Sequence, residues 1–158
     1  MGVSGCGKST IGEALAKRIK WKFVDGDNFH SMESVEKMSN GVPLTDDDRF
    51  PWLKKINLFA KSHNNCVIAC SSLKLIYRRI LTQDINAQFF LLNLKKDILQ
   101  NRVSTRPGHF MAPQLLDSQL ATLEMPKQDE TNVIIVNSDT NVNNIVDIIV
   151  GHIFIENK

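Results

Sequence analysis

The run Gly2-Val3-Ser4-Gly5-Cys6-Gly7-Lys8-Ser9 follows the pattern G-x-x-x-x-G-K-[ST], a spacing suited to holding a polyphosphate. Gly2, Gly5 and Gly7 let backbone N–H groups converge on phosphate oxygens, and a helix beginning at Lys8 would aim its positive end at the same point. Ser4, Cys6 and Thr10 complete such a cradle, Lys8 neutralises phosphate charge and Ser9 can ligate Mg²⁺. The competing reading is a glycine-rich turn capped by Ser9 or Thr10. A second chemical group is Asp25-Gly26-Asp27, whose carboxylates lie ~6.6 Å apart on one side of an extended chain. One could hold Mg²⁺ through water while the other accepts a proton from an attacking hydroxyl; a solvated turn explains the same residues. His63, Cys66 and Cys70 fail as a zinc site, since on a strand the two thiols stand ~13 Å apart and ligands of one zinc must lie within ~4 Å. They read as core thiols. Cys6 sits where a helix N-terminus and Lys8 would favour thiolate, though the role of a small apolar side chain in the loop is the preferred reading.

These groups need strands and helices to place them. Ile11, Leu15 and Ile19 recur at spacing four with Ala14 beside them, predicting a helix over 8–19 with Glu13, Lys17 and Arg18 in water. Trp21–Val24, Cys66–Cys70, Phe89–Leu94 and Val133–Val136 read as short strands, and Val142 to about Ile155 as a closing helix with Ile145, Val146, Ile149 and Ile153 inward. The alternation predicts an α/β fold with a mostly parallel sheet. Thr105-Arg106-Pro107-Gly108-His109 breaks a helix at Pro107 and is a candidate mobile loop. A phosphate loop should follow a buried strand, yet only Met1 precedes Gly2. The expectation is that the first strand is missing, so that either the true chain starts upstream or the domain is impaired.

At 158 residues there is room for one domain spanning 1–158, with 42% hydrophobic and 23% charged residues, which argues against disorder or a disulfide-stapled miniprotein. Nineteen Lys and Arg against 17 Asp and Glu leave +2, so no strong field points to nucleic acid or an anionic membrane. Three cysteines without a secretory leader favour reduced thiols and a cytoplasmic location. Every apolar run is shorter than the ~20 residues a membrane helix needs.

Further blocks follow the loop in order: Asp25-Gly26-Asp27-Asn28-Phe29-His30, Gly41-Val42-Pro43-Leu44-Thr45-Asp46-Asp47-Asp48-Arg49, Pro51-Trp52-Leu53, Cys70-Ser71-Ser72-Leu73-Lys74, Tyr77-Arg78 and Gly108-His109-Phe110. With Gln119 and Leu123-Glu124 they resemble the gluconate kinases, a short family of phosphate-loop kinases, from Gly2 to about Pro126. The resemblance implies a five-stranded parallel sheet flanked by helices, its first strand truncated here, with a lid at about 103–117. It implies ATP and Mg²⁺, phosphorylation of D-gluconate at its 6-hydroxyl, a role in pentose phosphate metabolism and a homodimer.

Carried onto this chain, the resemblance makes Lys8, Asp27 and Arg106 catalytic, with Asp27 the base or hydroxyl anchor and Arg106 reaching the transferring phosphate. Ser9 and Asp25 would serve Mg²⁺, and Arg102 would lie against the nucleotide. His30, Arg49, Lys74, Arg78 and His109 would meet the acceptor with Asp27, the Arg49 guanidinium suiting a carboxylate. Blander accounts stand beside these. Arg49 could pair with Asp46 on an exposed helix, and Asp46, Asp47 and Asp48 could be helix N-terminal carboxylates. Lys74 and Arg78, four apart, could be solvated charges, Arg102 part of an amphipathic helix, and His30 and His109 polar turn residues. Ser31, Ser34, Ser72, Leu75, Arg79, Leu120 and Asn137 depart from the family pattern, Leu75 and Ser34 near the acceptor side. Rival functions are a shikimate or nucleotide kinase of similar size and a nucleotide-binding relative that has lost catalysis.

Overall fold

The computed structural model describes residues 1–105 and 115–155. The short β-branched and aromatic runs form four strands, β1 (Lys22–Asp25), β2 (Cys66–Ala69), β3 (Phe89–Asn93) and β4 (Val133–Asn137). They pair in parallel as two couples. Lys22 stands opposite Cys66 and Asp25 opposite Ala69, while Phe89 stands opposite Val133 and Asn93 opposite Asn137. Parallel neighbours need long crossovers, and helices supply them. In chain order these are α1 (Lys8–Ile19), α2 (Met32–Ser39), α3 (Asp46–Ser62), α4 (Leu75–Leu81), α5 (Lys96–Ser104), α6 (Leu115–Thr122) and α7 (Val142–Ile155).

The spacing-four stripe of α1 is buried at Ile11 and Leu15, which pack with Ile145, Val146 and Ile149 of α7, Leu92 and Val136 in the larger core. Each such side chain contributes about 1.5–3 kcal/mol on burial. A second core joins Trp52, Leu53 and Ile56 of α3 to Tyr77 and Leu81 of α4, with Cys70 between them. Cys70 is a core thiol as expected, whereas Cys66 is half-buried and belongs to none of the buried clusters; burial raises the pKa of both.

The ends of β2, β3 and β4 differ from the sequence expectations by one residue each, and two further differences stand out. Trp21 lies between α1 and β1, because Lys20, the C-cap of α1, turns left-handed (φ 59°) and the Trp21 N–H donates back to Ala16 O; the strand begins one residue later and runs through Asp25. The implied single sheet of five strands appears as two couples, with Met1 and Gly2 lying between β2 and β3. There the Met1 nitrogen donates to Phe90 O, the Leu92 N–H to Met1 O, and the Gly2 N–H to Ser71 O. The loop over 105–109 and most of the lid over 103–117 lie outside the described residues.

Candidate active site

The loop after Met1 turns into α1 at Gly7, the helix N-cap, whose φ of 98° is left-handed and open to glycine at little cost. Gly5 is left-handed too (φ 81°), and a Cβ there would come within 2.9 Å of a Val103 methyl on α5. Glycine at these positions is what lets the loop wrap the start of α1. Lys8 currently donates its ammonium to Val3 O at 3.2 Å, and Cys6 beneath is fully buried, as its apolar reading required. Arg102 on α5 approaches Gly5 O at 3.5 Å.

Strand β1 delivers the carboxylates. Asp25, its last residue, uses both oxygens: one accepts the Ser9 hydroxyl at 2.7 Å and the other the Asp27 N–H at 3.0 Å, capping the single 3₁₀ turn over Gly26–Phe29. Gly26 must be glycine because a Cβ would stand 2.6 Å from Ala69 O. Its carbonyl accepts the Trp52 indole N–H at 2.7 Å, tying the turn to α3. Ser9 and Asp25 thus form a pair of hard oxygen donors beside the phosphate loop. Mg²⁺ takes few protein carboxylates and fills its octahedron with phosphate and water, so these residues fit it. No larger cluster of His, Cys, Asp or Glu suited to a metal occurs among the described residues.

His30 stacks on Trp52 with ring centroids 4.2 Å apart and planes at 14°. Burial, then the nearby Arg49 charge, lower its pKa to about 4, so the ring is neutral near pH 7. Its Nε2 lies 3.8 Å from Asp27 Oδ1, beyond hydrogen-bonding distance, and with a neutral ring this is not an ion pair. Its buried Nδ1 has no hydrogen-bond partner. Arg49 sits one turn into α3, whose start is set by a reciprocal cap between Thr45 and Asp48 and whose Asp48 also takes Lys37 at 2.7 Å. Arg49 donates to Leu44 O and lies over the Tyr77 ring at 5.8 Å.

One cavity of about 280 Å³ gathers Ser4, Gly5, Gly7, Lys8, Ser9 and Thr10 with Asp27, His30, Arg49 and Arg102. The other expected residues stand elsewhere. Asp25 touches the site through Ser9 and Asp27, and Gly2 anchors the loop to Ser71. Lys74 is the N-cap of α4 and gives its ammonium to both Asp46 oxygens at 2.8 Å, which lowers the Asp46 pKa and raises its own. The Tyr77 hydroxyl donates to the same carboxylate. Asp46 therefore pairs with Lys74 rather than Arg49.

Arg78 is not brought to the cavity. Its side chain is 3% exposed and clamps Glu130 bidentately at 2.7 and 2.9 Å, while Nη1 reaches the carbonyls of Ser72, Leu73 and Glu124 at 3.2 Å. Held in these bonds, it does not line the cavity. It fixes the segment after β2, whose Ser71 and Leu73 line the cavity. Arg106 and His109 lie outside the described residues. Of the departing positions, Ser31 is the N-cap of α2, its hydroxyl accepting the Ser34 N–H at 3.2 Å, and neither Ser34 nor Leu75 lines the cavity. Residue-type reasoning gave no role to Gln119 of α6, whose Oε1 accepts the Ser4 N–H at 2.7 Å across the phosphate loop; only its place in the family blocks marked it.

Comparisons with known proteins agree with this geometry. Residues 4–153 match the family model of shikimate kinase. The chain is 47% identical over 141 residues to a probable gluconokinase of Dictyostelium discoideum, covering 82% of this chain and 70% of that one. It is 41% identical over 151 residues to the thermoresistant gluconokinase of Escherichia coli (strain K12), covering 92% and 86%. The crystal structure of a gluconokinase from Sinorhizobium meliloti 1021 superposes with a TM-score of 0.84 at 42% identity, covering 93% and 85%. A phosphate loop continuous with an Asp25–Asp27 turn, and that likeness over most of the chain, place the protein in the gluconokinase family of shikimate-kinase-like P-loop kinases.

Proposed function

We propose that this protein transfers the γ-phosphoryl group of ATP to the 6-hydroxyl of D-gluconate, giving 6-phosphogluconate and ADP. The observation that carries the reading is a single cavity with the phosphate loop on one wall and Asp27, His30 and Arg49 on another. The names of the relatives support gluconate as acceptor. In this mechanism the loop N–H groups bind the β- and γ-phosphates, and Lys8 leaves Val3 O for them, since an ammonium gains more from a phosphate than from a carbonyl. Ser9 would hold Mg²⁺ directly and Asp25 through water; bound there, the ion neutralises charge on the transferring oxygens.

Asp27 accepts the proton of the acceptor hydroxyl as its oxygen bonds to phosphorus and the bond to the ADP oxygen breaks, the electron pair leaving with ADP. Arg49 binds the gluconate carboxylate bidentately. Neutral His30 offers the partnerless Nδ1 to an acceptor hydroxyl without adding a second cation beside Arg49. Lys74 serves indirectly, holding Asp46 and Tyr77 next to Arg49. An ADP-release screen over gluconate, shikimate and nucleoside monophosphates tests the reading. Gluconate-dependent release with the others at background is expected; faster release with shikimate or a nucleoside monophosphate overturns it.

A further inference from the structure

Gln119 has no part in the phosphate or acceptor chemistry derived above, yet it lines the cavity together with Ser4. Its Oε1 accepts the Ser4 N–H at 2.7 Å, across 115 positions of sequence. That N–H belongs to the same peptide unit as the Val3 carbonyl, and a planar trans peptide points the two groups in opposite directions. Fixing one therefore aims the other. The Val3 oxygen receives the Lys8 ammonium at 3.2 Å and the Cys6 N–H at 3.4 Å. One side chain on α6 thus sets the peptide on which the loop lysine rests.

The loop needs such a hold. Val3 and Ser4 stand between Gly2 (φ 137°) and Gly5 (φ 81°), both left-handed, and glycine loses more conformational freedom on ordering than any other residue. Turned over, the Val3–Ser4 unit would take its oxygen away from Lys8 and the Cys6 N–H. It would send that oxygen to the Gln119 side of a cavity read as a phosphate site, where donors are wanted.

The hold is firm because α6 is fixed along its length. Leu115, one turn before Gln119 and on the same face, is 4% exposed and packs with Met38 and Leu44. Those two residues line the cavity, and the Leu44 carbonyl accepts from Arg49 on the acceptor side. Leu116 is buried in the larger core. Past the helix, the Glu124 N–H donates to Leu73 O at 2.9 Å and its carboxylate accepts the Leu75 N–H at 2.6 Å.

We propose that Gln119 is a positioning residue for nucleotide binding, which locks the Val3–Ser4 peptide with its N–H toward α6 and its carbonyl toward Lys8, and that the packing of Leu115 on the acceptor side aims this lock. The proposal rests on the reading of residues 2–10 as the ATP site. A loop held in one orientation binds at its intrinsic affinity, whereas a loop divided between two loses affinity in proportion to the fraction left competent.

The test compares the wild type with Gln119→Met, Gln119→Glu, Leu115→Val and the double variant Gln119→Met with Leu115→Val. Methionine keeps the length of glutamine but offers only a weak sulfur acceptor, while an ionised glutamate can only accept and so keeps the peptide as observed. Two readouts are followed, neither involving the acceptor: Ser4 amide exchange by NMR in the ligand-free protein, and calorimetric affinity for a non-hydrolysable ATP analogue with Mg²⁺. Gln119→Met should exchange Ser4 faster and bind the analogue about three- to tenfold more weakly, the scale of one hydrogen bond, with Tm within about 3 °C of wild type. Gln119→Glu should keep Ser4 exchange within about twofold of wild type. Leu115→Val should weaken analogue binding about two- to threefold alone and add nothing in the Gln119→Met background, the mark of two residues acting through one contact. Unchanged Ser4 exchange or analogue affinity in Gln119→Met overturns the proposal. So does fast exchange in Gln119→Glu, or a Leu115→Val effect that is the same with and without Gln119. A wild type that does not bind the analogue at all overturns the nucleotide-site reading and the proposal with it, whereas the identity of the acceptor is decided separately by the ADP-release screen.

Discussion

His30 is held neutral, and that has a pH signature. A histidine whose pKa falls from 6.5 to about 4 on folding binds fewer protons in the native state than in the unfolded chain throughout that interval. Stability is therefore fully present above pH 6.5 and is lost as pH falls toward 4. Each unit is worth about 1.36 kcal/mol, so the full interval amounts to about 3 kcal/mol. About 2 kcal/mol of that falls between pH 7 and pH 5, above the range where the carboxylates of Asp46, Asp48 and Glu130 take protons, since their pKa values are lowered. For a chain of this length that is a drop in Tm of about 4–8 °C. The His30→Phe variant keeps a flat ring over Trp52 but cannot titrate. Urea denaturation of both proteins at pH 7, 6 and 5 should show the wild type losing about 2 kcal/mol more than the variant. Parallel losses would mean that His30 is not desolvated as the stack on Trp52 implies, and the reasoning would fail.

Lys8→Met should reduce turnover at least about a hundredfold, as removal of a donor to developing charge does elsewhere, with Tm within a few degrees of wild type; near-normal turnover would refute the phosphate-loop role. Arg49→Lys should raise the gluconate KM about tenfold or more with kcat little changed, because a point charge cannot replace a bidentate clamp; an unchanged KM would move the carboxylate site elsewhere. Arg78→Ala should cost about 3–5 kcal/mol in denaturation, leaving the Glu130 carboxylate buried and unpaired, whereas a cost under about 1 kcal/mol would contradict its role as a buried clamp.

The loop, α1, the four strands and α7 were legible because each rests on local pattern: glycine spacing, a stripe at spacing four, short β-branched runs. Trp21 was placed in the strand, one residue too early, since nothing local shows that Lys20 turns left-handed and sends the next N–H back to Ala16. Spacing alone also misled for Lys74 and Arg78. Four residues apart puts two side chains on one helix face, but depth is set by partners distant in sequence, Asp46 for one and Glu130 for the other. Asp27 was marked by its pairing with Asp25 as well as by the family blocks, Arg49 by the blocks, and the structure brings both to one cavity. Ser71, Leu73 and Gln119 carry no residue-type signal for a phosphate site; the family blocks alone contained them, and the fold sets them in the cavity lining.

The central claim is that Asp27 faces the acceptor hydroxyl while the phosphate loop holds the nucleotide. Gluconate-dependent ADP release, measured with ATP affinity for the wild type and Asp27→Asn side by side, tests it most directly. The account predicts gluconate-dependent release by the wild type and, in the variant, turnover reduced at least about a hundredfold, the usual scale for a lost general base, with ATP affinity within about twofold. A wild type that releases no ADP with gluconate, or a variant that loses ATP affinity in step with turnover, would contradict it.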